Sequence, residues 1–423
     1  MALNNESSRK LAGAIELLLE SSSRINEAKP NRYWYPLSLA TYGVEEIVEA
    51  LDSLCSFRTT MWEKTLQFEQ HFTAYQNCSD SVMVNSGSSA DLLLCFLLTN
   101  PSRPLLQKGD EILIPIVTWP TQIWSAMMSG LRVRFVDVDP KTLNIDITDL
   151  EKKITPKTKA IFLVHLMGNP CDMDRILAIA KAHNLLIIED CCEALGAEWD
   201  GVKVGNFGVA ARYSFFFSHH MTTMEGGMIA CSTAEIAEQT KILRAHGWLR
   251  NVDSTPYNLN NYDIDPRYAF VNWGFNVRPT DIQAGFGLHQ LQKLPQFNQR
   301  RIELANKFFT FIDSESWLSR PQSDSKALPS WFALPLLVAS DAPFNRKEIT
   351  DYLELAGVET RPIVAGNIAR HPVAKIFSEF GEDTYSGADI IHQHGFYLGL
   401  SPLHTDENIE RLIDCMQQFL RRY

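Results

Sequence analysis

Tyr213-Ser-Phe-Phe-Phe-Ser-His-His-Met-Thr-Thr-Met-Glu-Gly-Gly227 is the stretch around which the rest of the chain is organised. It opens as an aromatic strand and passes through a polar segment carrying His219 and His220. The Gly226-Gly227 pair then permits a tight turn back into a strand over 228–231. With an ordinary pKa of about 6.5, the imidazole of His219 can accept a proton at neutral pH without a large shift. It has no primary amine, so it cannot hold an aldehyde as a Schiff base. Two adjacent histidines also suit a packed or solvated structural pair, and the stretch by itself leaves both readings open.

Outward from this segment, the chain alternates between strands and helices. Strands are expected over 81–84, 111–115, 132–136, 160–165 and 185–188, with helices over 61–75, after residue 87 and over 172–183. That spacing predicts an α/β fold with a mainly parallel central sheet and helices on both faces. Ligands of such sheets sit beyond the carboxyl ends of the strands, where Asp190 falls. In Asn85-Ser-Gly-Ser-Ser-Ala-Asp91, Gly87 and Ser88 open a leucine-rich helix. The unpaired amides and positive dipole end of a helix start suit a phosphate, and a plain Ser N-cap is the alternative. Trp119 ends a strand segment as either a stacking surface or a core residue.

The pattern Ser-Phe, three residues, an anchor position, an apolar residue, Thr and Glu-Gly-Gly resembles the cofactor-anchoring segment of the sugar aminotransferase (DegT/DnrJ/EryC1/StrS) family. Its members use pyridoxal phosphate on the aspartate aminotransferase fold, fold type I. Ser214, Phe215, Met221, Thr222, Glu225, Gly226 and Gly227 match, and His219 stands where the family carries its anchoring Lys. That exchange resembles the branch of nucleotide-linked 4-keto-6-deoxyhexose 3-dehydratases, which use pyridoxamine phosphate to remove the C3 hydroxyl. The resemblance implies His219 as the catalytic base. It also implies Gly87, Ser88, Ser214 and Asn276 around the cofactor phosphate, with Asn276 reaching across from the neighbouring subunit of a homodimer. Trp119 would stack on the cofactor ring and Asp190 would pair with its pyridine nitrogen. Glu193 falls where aminotransferases carry Gln, near the phenolic oxygen; an N-cap role is the alternative for both carboxylates. Blocks 244–248 and 272–278 also match. Segment 357–372 is similar to the 3-dehydratases and offers Arg361 for substrate pyrophosphate or a donor carboxylate, against a surface salt bridge.

The function so implied is deoxygenation at C3 of a nucleotide-diphospho-4-keto-6-deoxyhexose, a step of 3,6-dideoxysugar and lipopolysaccharide O-antigen biosynthesis, with glutamate as amino donor. The alternative is a nucleotide-sugar aminotransferase whose missing Lys is replaced from elsewhere, against which Lys203 and Lys241 lie outside the motif; a cofactor-dependent binding protein is the third reading. Related reductive dehydrases carry an iron-sulfur cluster and a Cys-x-Cys pair. None of the eight cysteines forms such a pair, so the cluster-free type is expected.

Composition agrees with this class. The chain has 423 residues, 45% of them hydrophobic and 21% charged, enough for two domains around a large core. A net charge of -11 argues against nucleic acid as partner. No apolar run reaches the length of a membrane span, and ordinary cysteine usage fits a reducing, cytoplasmic setting. The expected division is an N-terminal helix and linker over 1–34, a large cofactor-binding domain over 35–299 and a small C-terminal α/β domain over 300–423. The aromatic cluster at 33–36 is expected to pack against the body. Helices are further expected over 281–294, from about 300, over 346–356 and over 406–420, with a strand over 331–338 and turns at Gly395 and Gly399. Met224 stands where many relatives carry Gly, and the sequence offers no reason for it.

Overall fold

The computed structural model of the chain describes residues 5–28, 33–250, 252–381 and 383–423. In chain order the helices are α1 (Asn5–Ala28), α2 (Val44–Cys55), α3 (Glu63–Gln76), α4 (Gly87–Leu98), α5 (Pro120–Met128), α6 (Ile147–Lys153), α7 (Met173–His183), α8 (Ala234–Arg244), α9 (Asp281–Ile312), α10 (Arg346–Leu355), α11 (Ser386–His394) and α12 (Asp406–Leu420). The strands are β1 (Asp80–Val84), β2 (Glu111–Pro115), β3 (Arg132–Val136), β4 (Thr158–Val164), β5 (Leu186–Asp190), β6 (Glu198–Trp199) and β7 (Val202–Lys203). They continue as β8 (Ala210–Ser214), β9 (Gly227–Cys231), β10 (Leu318–Ser319), β11 (Ala327–Leu328), β12 (Leu334–Val338), β13 (Thr360–Pro362) and β14 (Gly395–Leu398).

The central sheet has seven strands in the order β1-β9-β8-β5-β4-β2-β3. Its strands pair in parallel from β8 to β3, and only β9 runs against its neighbours. Short, nearly continuous apolar runs such as Ile112-Leu-Ile114 are buried on both faces, as a sheet covered by helices requires. The parallel arrangement brings the ends Pro115, Asp190 and Ser214 to one edge of the sheet.

A second, four-stranded sheet, β10-β12-β14-β13, is wholly antiparallel. Residues of α9, α10 and α12 build its core with Phe308, Leu336 and Phe396. Tyr35 belongs to this core: it is fully buried, and its hydroxyl donates to Gly399 O at 3.0 Å. Trp34 Nε1 donates to Ala356 O at 2.8 Å, so the aromatic cluster packs against the body as expected.

Three elements differ from the sequence reading. The strand expected at Tyr213 begins earlier and ends at Ser214; Phe216 and Phe217 lie in the loop, 46% and 37% exposed. The helix expected to stop at 294 runs unbroken to Ile312 through Pro295, so residue 299 lies within a helix. Proline removes one helical hydrogen bond, but Leu291 and Leu294 are anchored in one core and Leu304 and Phe308 in another, and burial of both flanks overrides the break. Gly395 opens β14 rather than a turn, and a Cβ there would lie 2.6 Å from Ile391 O. Among the described residues, no helix is long and apolar enough to cross a membrane.

Candidate active site

β1 delivers Asn85 and Ser86 into α4. Ser86 caps the helix by accepting the Ser89 N–H at 3.1 Å, and Ser89 Oγ donates to Asn85 Oδ1 at 2.6 Å. Gly87 and Ser88 are the first two helical residues, so their amides have no carbonyl within the helix and face outward at the positive dipole end. Sheet register places Val84 and Ser214 on opposite sides of Gly227. A Cβ on Gly87 would sit 2.7 Å from Ser214 Cβ, and one on Gly227 would sit 2.5 Å from Ser86 O. The two glycines let three segments meet, which brings Gly87, Ser88 and Ser214 into one cradle of hydroxyls and amides. Such donors fit a phosphate.

The adjacent carboxylates on β5 have separate fates, since neighbouring side chains on a strand point to opposite faces. Glu189 turns to the 205–208 loop, accepting the N–H groups of Gly205 and Phe207 at 2.7 Å and of Gly208 at 2.8 Å. Asp190 accepts the Cys192 N–H at 2.9 Å and pairs with Arg212 Nη2. Arg212 Nε lies 2.6 Å from Asp91 Oδ1, and Asp91 Oδ2 accepts Thr121 Oγ1 at 2.6 Å. The three charged residues are buried, so two carboxylates share one guanidinium. Burial, helped by the Asp190 charge and opposed by Arg212, pushes Asp91 up to about 7. The set is short of positive charge, and a protonated ring nitrogen beside Asp190 would supply it. Sequence reasoning missed Arg212 and the role of Asp91. The available signal was parity: Arg212 is two residues before Ser214 on β8 and shares its face.

The central loop is closed by two bonds, Phe215 N–H to Gly226 O and Thr223 N–H to Phe215 O, each 2.9 Å. His219 is half-buried in it, with its ring near-perpendicular to that of Phe332 at 5.2 Å between centroids. No described residue hydrogen-bonds its buried Nδ1. Burial first, then the positive Arg212 and Arg301, push its pKa down from 6.5 to about 3, so the unshifted value expected from the sequence does not hold: the imidazole is neutral, and a weaker base than a free one. His220 is fully buried and its Nε2 meets Ser330 O, a structural role. Met224 adopts φ +67°, the left-handed region where Gly is unstrained, which accounts for the Gly expected there.

Trp119 caps α5 and is 57% exposed, so it is not a core residue. Glu193 Oε2 accepts the Met167 N–H at 2.8 Å, and burial raises its carboxyl to about 7. Tyr397 feels both Glu193 and Arg361, though burial does most to push its hydroxyl up to about 12. Arg361, paired with Tyr397 in the register of β13 and β14, donates to Glu359 at 2.8 Å and to Thr360 O at 2.7 Å. Asn276 is exposed and its Oδ1 accepts Arg278 Nε at 2.9 Å, while the neighbouring Val277 O accepts the Asn85 N–H at 3.1 Å. Within one chain, therefore, neither the Arg361 nor the Asn276 side chain is hydrogen-bonded to the cradle or to His219. The two lysines offered as substitutes lie elsewhere: Lys241 pairs with Asp80 at 2.6 Å, and Lys203 sits over the Tyr75 ring.

Residues 41–417 match the DegT/DnrJ/EryC1/StrS aminotransferase family. The chain is 36% identical over 388 residues to a GDP-4-keto-6-deoxy-D-mannose 3-dehydratase from Yersinia pseudotuberculosis, covering 91% of this chain and 98% of that one. A crystal structure of a GDP-4-keto-6-deoxymannose-3-dehydratase, a histidine-to-asparagine mutant with bound GDP-perosamine, superposes with a TM-score of 0.84 at 34% identity. It covers 90% of this chain and 100% of that one. Another crystal structure of that enzyme, holding a trapped PLP-glutamate geminal diamine, gives the same TM-score and identity over 90% and 99% of the two chains. The chain belongs to the DegT/DnrJ/EryC1/StrS aminotransferase family, and its fold is that of the fold type I pyridoxal phosphate enzymes.

Proposed function

We propose that this enzyme is a pyridoxamine/pyridoxal phosphate-dependent 3-dehydratase of a nucleotide-diphospho-4-keto-6-deoxyhexose. GDP-4-keto-6-deoxy-D-mannose, named for its relatives, is the first substrate to try. The observation that carries this reading is an imidazole, not an amine, at the anchor position, with the candidate lysines held elsewhere. When bound, the cofactor supplies an amine for the C4 ketone and a ring that accepts electrons.

Gly87, Ser88 and Ser214 hold the phosphate, joined by Asn276 from a second copy of the chain in a homodimer. Trp119 would stack on the ring, Glu193 would serve the phenolic oxygen, and Asp190, backed by Arg212, would balance the charge of the ring nitrogen. With the cofactor and substrate bound, His219 would serve as the base and would give a proton to the departing C3 hydroxyl, which otherwise leaves as a poor anion. Arg361 receives the substrate pyrophosphate or the carboxylate of glutamate, the amino donor. The eight cysteines, all free, support a reducing, cytoplasmic setting.

The test supplies pyridoxamine phosphate, glutamate and the 4-keto-6-deoxy nucleotide-sugar and follows products by mass spectrometry. Ammonia and a 3,6-dideoxy-4-keto sugar are expected. An amino sugar would establish an aminotransferase instead, and no turnover across several nucleotide-sugars would leave only a binding protein.

A further inference from the structure

His219 and His220 belong to the large sheet's loop, yet both lean on one phenyl ring from the C-terminal part of the chain. Phe332 lies 5.2 Å from His219 at 70° and 6.2 Å from His220 at 43°. A working histidine is ordinarily oriented by a hydrogen bond to its second ring nitrogen. Here Nδ1 has no such partner among the described residues, so ring packing orients it, from Phe216 of its own loop at 6.3 Å and, closer, from Phe332.

Phe332 is itself held by several bonds. Its N–H donates to Met167 O at 2.9 Å, and its carbonyl accepts Arg301 Nη1 at 3.1 Å. Two residues earlier, the Ser330 N–H donates to Gly168 O at 3.0 Å, and Ser330 O meets His220 Nε2. Met167 and Gly168 occupy the left-handed region at φ 56° and 86°, and a Cβ on Gly168 would lie 2.6 Å from Ser330 O. That turn is shaped to admit the Ser330-Trp331-Phe332 strap. Arg301 is 2% exposed, also donates to Leu400 O and has no carboxylate partner among the described residues. An unpaired buried guanidinium is a costly way to hold two carbonyls if packing were the only purpose.

We propose that Phe332, clamped by Arg301, is a positioning residue for His219: its near-perpendicular ring fixes the imidazole orientation and makes docking of the 330–332 strap a condition of proton transfer. The catalytic half of this inference rests on His219 being the base; the structural half does not.

The full-length enzyme with Phe332→Ala, Phe332→Leu, Phe332→Tyr and Arg301→Lys tests it by two readouts. One is the split between kcat and KM for the nucleotide-sugar. The other is the rate at which diethyl pyrocarbonate modifies His219 in the absence of substrate at pH 7, followed by peptide mass spectrometry. Phe332→Ala should lower kcat by about 10²-fold while KM moves by less than about 2-fold, and should speed modification of His219 several-fold. Phe332→Tyr keeps the ring and should restore both readouts, whereas Arg301→Lys should fall between. If Phe332→Ala does not fold, Phe332→Leu, which keeps bulk but loses the flat ring, decides by the same two readouts. Unchanged kcat, or lost kcat with His219 modification at the wild-type rate, overturns the proposal. Should no nucleotide-sugar be turned over, the modification readout alone decides, so failure of the dehydratase reading and failure of this one remain distinguishable.

Discussion

At the residue scale, the departure of one side chain from the family pattern governs the chemistry. His219→Lys restores a primary amine at the anchor and should give a borohydride-trappable adduct with pyridoxal phosphate, while dehydration falls sharply; unchanged dehydration would remove His219 as the base. The neutral state of His219 has its own signature. With a folded pKa of about 3 against about 6.5 unfolded, the imidazole stays deprotonated from pH 8 to pH 5. Its modification by diethyl pyrocarbonate should therefore show no midpoint near pH 6.5. Linkage gives its sign: as pH falls through 6.5 toward 3, the unfolded chain binds a proton the folded chain refuses, and this share of stability is lost. Glu193 acts the other way. Its folded value of about 7 lies above 4.5, so holding it ionised costs stability above pH 7 and nothing below 4.5. Glu193→Gln should raise the melting temperature relative to wild type more at pH 8 than at pH 5, and equal shifts at both would refute the assignment. Met224→Gly should relieve left-handed strain and stabilise by roughly 1 kcal/mol in denaturant titrations, whereas Met224→Val should destabilise.

At the scale of elements, the site depends on how closely β1, β8 and β9 and the start of α4 approach one another. Gly87→Ala would drive a methyl group to 2.7 Å from Ser214 Cβ. It should weaken cofactor binding, read from the visible absorbance of pyridoxal phosphate, far more than Ser88→Ala at the exposed neighbouring position. Arg212 joins α4 to β5 through Asp91 and Asp190. Arg212→Met leaves two buried carboxylates without their cation, a change expected to cost roughly 3–5 kcal/mol in unfolding experiments. The start of α9 at Asp281 was legible in the sequence, and the structure closes it with a capping box of Thr280 and Gln283. Its end was not legible, because Pro295 is a local stop signal and the apolar residues that override it act through two separate cores.

At the scale of the whole molecule, Asn276 is a proposed phosphate ligand that one chain does not bring into bonding contact with the cradle, and the proposed homodimer accounts for it. Mixed dimers of His219→Asn and Asn276→Ala subunits give a direct test. If Asn276 serves the neighbouring site, one of the two sites regains both residues, and mixing two impaired proteins should restore activity; no recovery would place Asn276 in its own chain's site or outside any site. The sequence by itself determined the fold class and the imidazole at the anchor position, and it singled out Gly87, Ser88 and Ser214 as candidates for the cradle, because strand and helix periodicity and a short contiguous motif are local properties of the chain. Only the tertiary structure decided that Arg212 bridges Asp91 and Asp190, that α9 links two cores, and that Phe332 and Arg301 stand behind His219. Those partners lie far apart along the chain, and nothing but sheet order and domain packing determines which distant side chains share a buried space.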